Sequence, residues 1–249
     1  MNSINSTLQT KFQKTKRKRI AIFSIVAFFL LAVVLYLCTY YHSVDVEPYL
    51  TSSEEVQVSG FDQGIFFDGP GTTKALIFYP GAKVATEAYA PLMHQLAQKG
   101  VDCFLVDMPF HMAFFGINRA EKILKNYQYD SWYLGGHSLG GAMAASFAAG
   151  HTDELDGLLL LASYTTRDLS QSDLLVVTIY GSEDGVLNRK SLEKGRALLP
   201  ANSIEKCLEG GNHGQFGSYG DQKGDGKASI SREEQIEETI KIFLDKIQP

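Results

Sequence analysis

The sequence SWYLGGHSLGGAMAASFAAG, residues 131–150, indicates the architecture on which the rest of the chain depends. Its first part, residues 132–134, is apolar and typical of a buried strand, whereas residues 139–149 are small and apolar with helical character. Between these two parts, residues 136–140 fit the pattern G-x-S-x-G. The stretch therefore predicts a strand, a tight turn and a helix, in that order.

Ser138 lies at this predicted turn. A serine between a strand and a helix adopts a strained backbone, and glycines flank it because a Cβ there would collide with the neighbouring elements. The hydroxyl would then project from the end of the sheet, and the Leu139 amide would point towards the group under attack. We interpret Ser138 as a candidate nucleophile. The alternative is a glycine-rich packing turn, since the pattern also occurs by chance.

The composition predicts one globular domain, because 249 residues with 45% hydrophobic and 20% charged residues can bury one good core. Three cysteines, Cys38, Cys103 and Cys207, lack the spacing of a zinc cluster and are too few for a disulfide framework. We expect Cys103 and Cys207 to lie in buried strands as small hydrophobic residues. A single disulfide between them is an open alternative.

The N-terminal part differs from the rest of the chain. Residues 1–19 form a basic tail, and residues 20–41 are uncharged and apolar. As a helix, the apolar segment would be about 33 Å long, enough to cross a hydrocarbon core of about 30 Å. Bulky residues stand where a signal peptide needs a small-residue cleavage site, so we predict an uncleaved transmembrane anchor. Tyr36, Tyr40 and Tyr41 would form its interfacial aromatic belt.

The charge distribution predicts the orientation of this anchor. No acidic residue precedes Asp45, so the basic tail should be cytoplasmic and the remainder extracytoplasmic. Without the six basic residues of the tail, 17 of the 23 Lys and Arg residues remain against 28 acidic ones, a net charge of −11. We expect no binding to nucleic acid. Residues 42–53 are interpreted as a stalk and residues 54–249 as the folded domain.

Alternating strands and helices indicate an α/β fold. Residues 54–58 and 64–67 are predicted to form a hairpin, and residues 75–79 and 101–106 are continuous apolar runs with a predicted helix between them. This order favours a mostly parallel sheet with helices on both faces. Only Ser163 to Asp173 separates two later strands, so we predict no large lid.

Two polar residues follow later strands of the predicted sheet. Asp184 comes after residues 174–180, and His213 comes after residues 203–208. The carboxyl ends of parallel strands share one edge, where open α/β sheets bind ligands. Asp184 is therefore the candidate acid and His213 the candidate base. Alternative acids are Glu183 and Asp168, and Asp184 could instead cap the following helix.

The other histidines are predicted to be structural or on the surface: His42, His94, His111, His137 and His151. Residues 107–116 form an apolar loop that either covers the edge of the sheet or lines a pocket beside Ser138. Phe110, Met112 and Phe114 are the candidate substrate-binding residues. Residues 219–227 are similar to a calcium loop, but lysine and arginine stand where oxygen ligands are required, so we predict a turn and no metal.

From about Val56 onwards the chain resembles the α/β-hydrolase superfamily, in particular compact bacterial members related in architecture to dienelactone hydrolases. The resemblance is carried by the stretches at residues 79–84, 108–110, 136–141, 181–185 and 211–216. It implies that Ser138 is the nucleophile, His213 the base and Asp184 its orienting acid. It also implies an oxyanion hole formed by the amides of Ala82 and Leu139. The chain order serine, acid, histidine is the order in such hydrolases.

The implied activity is acyl transfer on a small-molecule substrate, without a cofactor. Two departures limit the resemblance. Pro80 replaces the histidine often found before the oxyanion glycine, and a serine stands where dienelactone hydrolases use cysteine, so their substrate does not carry over. The alternative function is a non-catalytic binding module displayed on the membrane. An intact set of serine, acid and histidine argues against that alternative.

Overall fold

The computed structural model describes residues 2–247, with side chains from residue 16 onwards. The chain divides into two compact units, Met1–Thr39 and Tyr40–Pro249. The first unit contains helix α1, Asn2–Cys38. Its part Lys16–Cys38 is long and apolar enough to cross a membrane, and none of its most apolar portion is buried.

The predicted anchor, residues 20–41, extends beyond the helix, and two tyrosines of its predicted aromatic belt lie outside α1. Helix α1 ends at Cys38, so Tyr40 and Tyr41 belong to the second unit. Tyr41 forms a parallel bridge with Val84 and packs against the core of that unit. The pairing satisfies backbone groups that a helix would have bonded internally.

The predicted stalk is also part of the second compact unit. Val46 is only 3% exposed, and Tyr49 and Leu50 pack against the core. The backbone N–H of Val44 donates to the carbonyl oxygen of Ser218 at 2.8 Å. These contacts bury apolar surface, so the compact unit begins at Tyr40 rather than at residue 54.

In the described part of the chain, eight strands form one sheet in the order β1-β2-β4-β3-β5-β6-β7-β8. The strands are β1 Gln57–Phe61, β2 Gly64–Asp68, β3 Lys74–Tyr79, β4 Asp102–Val106, β5 Ser131–His137, β6 Gly157–Leu161, β7 Leu175–Gly181 and β8 Ile204–Leu208. The predicted hairpin is β1 and β2, which pair antiparallel, and β2 pairs antiparallel with β4. All other pairs are parallel.

Helices cover both faces of this sheet, as predicted. On one face lie α2, Ala90–Gln98, and α6, Arg232–Ile247, and on the other lie α3, Arg119–Asn126, and α4, Leu139–Ala148. In the central strands, alternate residues pack into the two resulting cores. A further helix, α5 Arg189–Arg196, follows β7. The segment between β6 and β7 contains neither helix nor strand, so no large lid is present among the described residues.

Other sequence predictions need correction. Cys103 is buried in β4, but Cys207 is exposed on β8, and both thiols are free. Four strands separate β4 from β8 in the sheet, so the two cysteines cannot be bridged. His94, predicted at the surface, is buried on α2, where its ring lies edge-on to Tyr49 and Phe67.

Candidate active site

Ser138 occupies the tight turn that connects β5 to α4. Its backbone has φ 53° and ψ −121°, a strained combination for a residue with a Cβ. The backbone N–H donates to the carbonyl oxygen of Leu161 at 2.9 Å, and the carbonyl oxygen accepts from Ser163 Oγ at 2.7 Å. These bonds to β6 and the segment after it help to hold the strained residue in place.

Glycine is required at the start of the helix that follows. A Cβ on Gly140 would overlap the carbonyl oxygens of Tyr79 and Pro80, which end β3 and begin the next loop. Helix α4 can therefore approach the end of β3 only because Gly140 has no side chain. This close approach places the N-terminus of α4 beside the loop that contains Ala82.

Asp184 and His213 form a buried pair. Asp184 Oδ2 lies 2.9 Å from His213 Nδ1, and the two side chains are 0% and 1% exposed. The other carboxylate oxygen, Oδ1, accepts from the backbone N–H groups of Val186 at 2.9 Å and Leu187 at 2.7 Å. Asp184 thus stabilises the turn at residues 184–187 and binds His213 at the same time.

These bonds determine the charge of Asp184. Burial by itself would raise the pKa of the carboxyl group, but the hydrogen bond and charge of His213 and the two backbone N–H groups lower it. The net pKa is below the ordinary value, so the group is an anion at neutral pH. The hydrogen bonds of the alternative acids go elsewhere: Glu183 accepts from Ser182 Oγ, and Asp168 accepts from the backbone N–H of Ser170.

A cavity of about 240 Å³ opens beside this pair and is lined by both Ser138 and His213. The rest of its wall consists mainly of Ala142, Tyr164, Val186, Leu187 and Asn188. His213 Nε2 is buried and has no hydrogen-bond partner among the described residues. It is therefore available to accept a proton, although its bond to the Ser138 hydroxyl is not formed in this conformation.

The amides proposed for the oxyanion hole are both unused. On either side of Ala82, Gly81 N–H donates to Tyr89 Oη at 3.0 Å and Lys83 N–H donates to the carbonyl oxygen of His111 at 2.7 Å. The N–H groups of Ala82 and Leu139 donate to no other residue in the described range. Leu139 lines the cavity, and Ala82 does not.

The connection between this loop and the candidate nucleophile was not predicted from the sequence. The Tyr89 hydroxyl accepts from Gly81 and lies 2.8 Å from His137 Nδ1, so it can donate to that nitrogen. The ring of His137 in turn lies 4.5 Å from the ring of His213. One buried tyrosine thereby joins the loop of Ala82 to the residue that precedes Ser138.

His137 is held in its neutral form. Burial is the main cause that lowers the pKa of its imidazole well below the ordinary value, and the nearby charge of His213 lowers it further. The backbone of His213 opposes this shift only in part. A neutral His137 adds no positive charge beside the histidine that would receive a proton during catalysis.

We expect the free energy of unfolding to decrease as the pH falls below about 6.5, because the unfolded chain then protonates His137 and the native chain does not. The contribution of His137 to stability is fully present above the ordinary imidazole pKa and is lost as the pH falls towards the lowered pKa of the folded protein. One such proton contributes at most about 1.4 kcal/mol per pH unit. Urea unfolding between pH 8 and pH 5 would measure the slope, and His137→Gln should reduce it. Equal slopes in the two proteins would contradict the assignment.

The structure does not bring the predicted substrate-binding residues to this cavity. Phe110 and Phe114 are 54% and 64% exposed, and neither they nor Met112 line its wall. Phe110 and His111 have positive φ angles, and Ala113 packs into the core. The loop therefore packs Met108 and Ala113 into the core and leaves its phenylalanines exposed, outside the wall of the cavity.

A larger cavity of about 600 Å³ lies behind the loop of His213, with Asn212, Gly214, Asp225 and Lys227 among its lining residues. It contains neither Ser138 nor the imidazole of His213. The smaller cavity is the candidate active site, because Ser138 and His213, the candidate nucleophile and base, both line it.

Comparison with known proteins agrees with this architecture. A predicted CIB-like hydrolase from Thermoplasma acidophilum is similar in structure, with a TM-score of 0.56 and 13% identity over 76% of this chain and 98% of that one. Est1E from Butyrivibrio proteoclasticus has a TM-score of 0.57 and 14% identity over 79% of this chain and 100% of that one. At such low identity the likeness is evidence for the fold alone.

No curated protein matches the chain in sequence. The model of one protein family, described as the alpha/beta hydrolase family, matches residues 75–237. The matched region begins in β3, ends in α6 and includes Ser138, Asp184 and His213. Because this match spans more than half of the chain, the protein belongs to the alpha/beta hydrolase family.

Proposed function

We propose that this protein is a serine hydrolase that cleaves an ester-type acyl bond through a covalent acyl-enzyme. The observation that carries the proposal is the buried Asp184–His213 pair, of which His213 lines the same cavity as Ser138. Membership of the alpha/beta hydrolase family supports hydrolysis as the reaction class. The ester bond and the serine nucleophile are our inference from the site.

In this mechanism the Ser138 hydroxyl attacks the carbonyl carbon of the substrate, and His213 Nε2 takes its proton. Asp184 keeps the remaining imidazole proton on Nδ1 and balances the charge of the imidazolium. The protonated histidine then donates to the leaving alcohol. Water, deprotonated by His213, releases the acid from Ser138 in the second half of the reaction.

The negative oxygen of the tetrahedral intermediate needs hydrogen-bond donors. We assign this role to the amides of Ala82 and Leu139, because neither donates to another described residue. Leu139 N–H also stands at the N-terminus of α4, where the helix dipole favours negative charge. Donors that are fixed before the reaction would cost no reorganisation when the charge develops.

We further propose that the protein is anchored in the cell membrane by α1, with the hydrolase unit outside the cytoplasm. The apolar segment Lys16–Cys38 supports an anchor, and the basic residues before it favour a cytoplasmic N-terminus. The substrate would then be a small acylated molecule that is encountered outside the cytoplasm.

One experiment tests both the nucleophile and the location. A fluorophosphonate probe that cannot cross membranes should label the full-length protein on intact cells, because it phosphonylates an activated serine. The Ser138→Ala protein should not be labelled. Labelling only after lysis would contradict the extracytoplasmic location, and absence of labelling in both samples would contradict the serine mechanism.

The size of the cavity predicts the preferred substrates. Its volume of about 240 Å³ lies below the range of roughly 300–1,000 Å³ that is usual for sites of drug-sized ligands. Each additional buried methylene contributes about 0.8 kcal/mol, but only where walls surround it, so acyl groups of roughly two to six carbons should be preferred. A series of p-nitrophenyl esters from acetate to palmitate would measure kcat/KM. A steady increase up to palmitate would contradict this expectation.

A further inference from the structure

The segment at residues 219–227 follows the last strand and precedes α6 in the sequence, and it contains neither helix nor strand. It packs directly against the loop that carries Asp184. A Cβ on Gly185 would lie 2.6 Å from the carbonyl oxygen of Gly224, and a Cβ on Gly226 would overlap the carbonyl oxygen of Glu183. Only residues without side chains allow so close an approach.

The carboxylate of Asp225 is bonded to both loops of the candidate site. Its Oδ1 accepts from Gly185 N–H at 3.1 Å and from His213 N–H at 3.2 Å, as well as from Gly226 N–H at 2.9 Å. Its Oδ2 accepts from Gly214 N–H at 2.8 Å. The partners thus include the residue after the acid, the base itself and the residue after the base.

These bonds address a geometric problem of the site. Asp184 follows β7 and His213 follows β8, so their separation depends on two loops that leave different strands. The loops are joined directly by a bond from Glu183 N–H to the carbonyl oxygen of Gly211, at 2.9 Å. Asp225 supplies a second connection, next to the 2.9 Å contact between the acid and the base.

An ionised carboxylate suits this place for a chemical reason. It only accepts hydrogen bonds, and its two oxygens can take several at once, each strengthened by the negative charge. An asparagine would replace one of these oxygens with an amino group. That group is a hydrogen-bond donor, and it would face backbone N–H groups, which are also donors. The segment itself is also held in place, since Lys223 N–H donates to Tyr41 Oη at 3.2 Å and Tyr219 Oη donates to Gln222 at 2.9 Å.

We propose that Asp225 is a positioning residue, which holds the Asp184 and His213 loops at the separation that their hydrogen bond requires. It does not line the cavity beside Ser138 and acts on catalysis only through these two loops. The inference rests on the proposed hydrolase function for its kinetic consequences. Its structural content, the dependence of the Asp184–His213 bond on Asp225, is independent of any substrate.

The kinetic test compares Asp225→Asn with Asp221→Asn in the full-length protein. Asp221 is exposed in the same segment and is the matched control. A displacement of about 1 Å can cost roughly 100-fold in rate. We therefore expect kcat of Asp225→Asn, calculated from the concentration of active sites measured by titration, to decrease about 10- to 100-fold, with KM changed much less. The rate of fluorophosphonate labelling should fall by the same factor. Asp221→Asn should match the wild type.

A proton NMR spectrum tests the structural content directly. The Nδ1 proton of His213, bound to Asp184, should give a far-downfield signal that is present in the wild type and in Asp221→Asn but lost or shifted in Asp225→Asn. A lower melting temperature with kcat and the signal unchanged would overturn the proposal, because Asp225 would then stabilise only the fold. If the wild type neither hydrolyses esters nor reacts with the probe, the proposed function fails, and the signal alone decides the role of Asp225.

Discussion

Replacing Ser138 by alanine is expected to lower kcat for ester hydrolysis by about 10⁴- to 10⁶-fold, since the change removes the atom that forms the acyl-enzyme. The fold should persist. Serine and alanine both carry a Cβ, so the strain at φ 53° is the same in the two proteins. The bonds that hold the turn use the backbone of Ser138 and not its hydroxyl.

Steady-state kinetics with a short-chain ester, together with the melting temperature, would measure this result. Ser146→Ala is the matched control, because Ser146 lies further along the same helix, α4, and does not line the cavity. Ser146→Ala should retain the activity of the wild type. A Ser138→Ala protein with more than about a tenth of wild-type activity would exclude the covalent mechanism that we propose.

The second large effect is expected for Asp184→Asn, which should lower kcat by about 10⁴-fold. The orientation of the new side chain follows from the bonds of Asp184. Its Oδ1 accepts from Val186 and Leu187, so the one oxygen of asparagine should remain there and its amino group should face His213. His213 Nδ1 must then accept, and the proton moves to Nε2. A protonated Nε2 cannot take the proton of Ser138.

Glu183→Gln provides the comparison for this prediction. Glu183 is adjacent in sequence, but its carboxylate contacts Ser182 and not His213. Activity should be close to that of the wild type, because the His213 tautomer is unaffected. If Glu183→Gln were inactive and Asp184→Asn lost less than about tenfold, the acid would have to be reassigned to Glu183.

The arrangement of the site could be predicted because its three residues each follow a recognisable strand. Apolar runs and turn residues indicate strands locally, and parallel strands must bring their carboxyl ends to one edge. The contact between Asp184 and His213 follows from that topology, although the residues are 29 positions apart. The glycines around Ser138 likewise indicate a tight turn with a strained backbone, and the positive φ of Ser138 confirms it.

The supporting residues could not be predicted in this way. Tyr89 contacts His137 from 48 positions away, and Asp225 contacts Gly185 from 40 positions away. Neither residue lies in a pattern that is typical of catalysis. The segment of Asp225 was predicted to be a turn without a metal, and its role is visible only in the backbone N–H groups that the carboxylate accepts from.

The apolar loop after β4 shows a different limit of sequence analysis. Its phenylalanines could equally have lined a pocket or covered the edge of the sheet, because composition does not state which way a side chain points. In the structure Phe110 is 54% exposed and does not line the cavity, and both Phe110 and His111 have positive φ angles. Whether a loop side chain lines the cavity depends on the residues from other segments that lie at the same edge of the sheet.

The sequence by itself determined the α/β class, the turn at Ser138 and the edge of the sheet at which Asp184 and His213 meet. These features follow from local periodicity, glycine placement and the direction of parallel strands, all of which act over a few residues or through topology. The tertiary structure alone decided where the compact unit begins, which walls surround Ser138 and how Asp225 and Tyr89 join the loops. Such features depend on packing and hydrogen bonds between segments far apart in the chain, which no local pattern encodes.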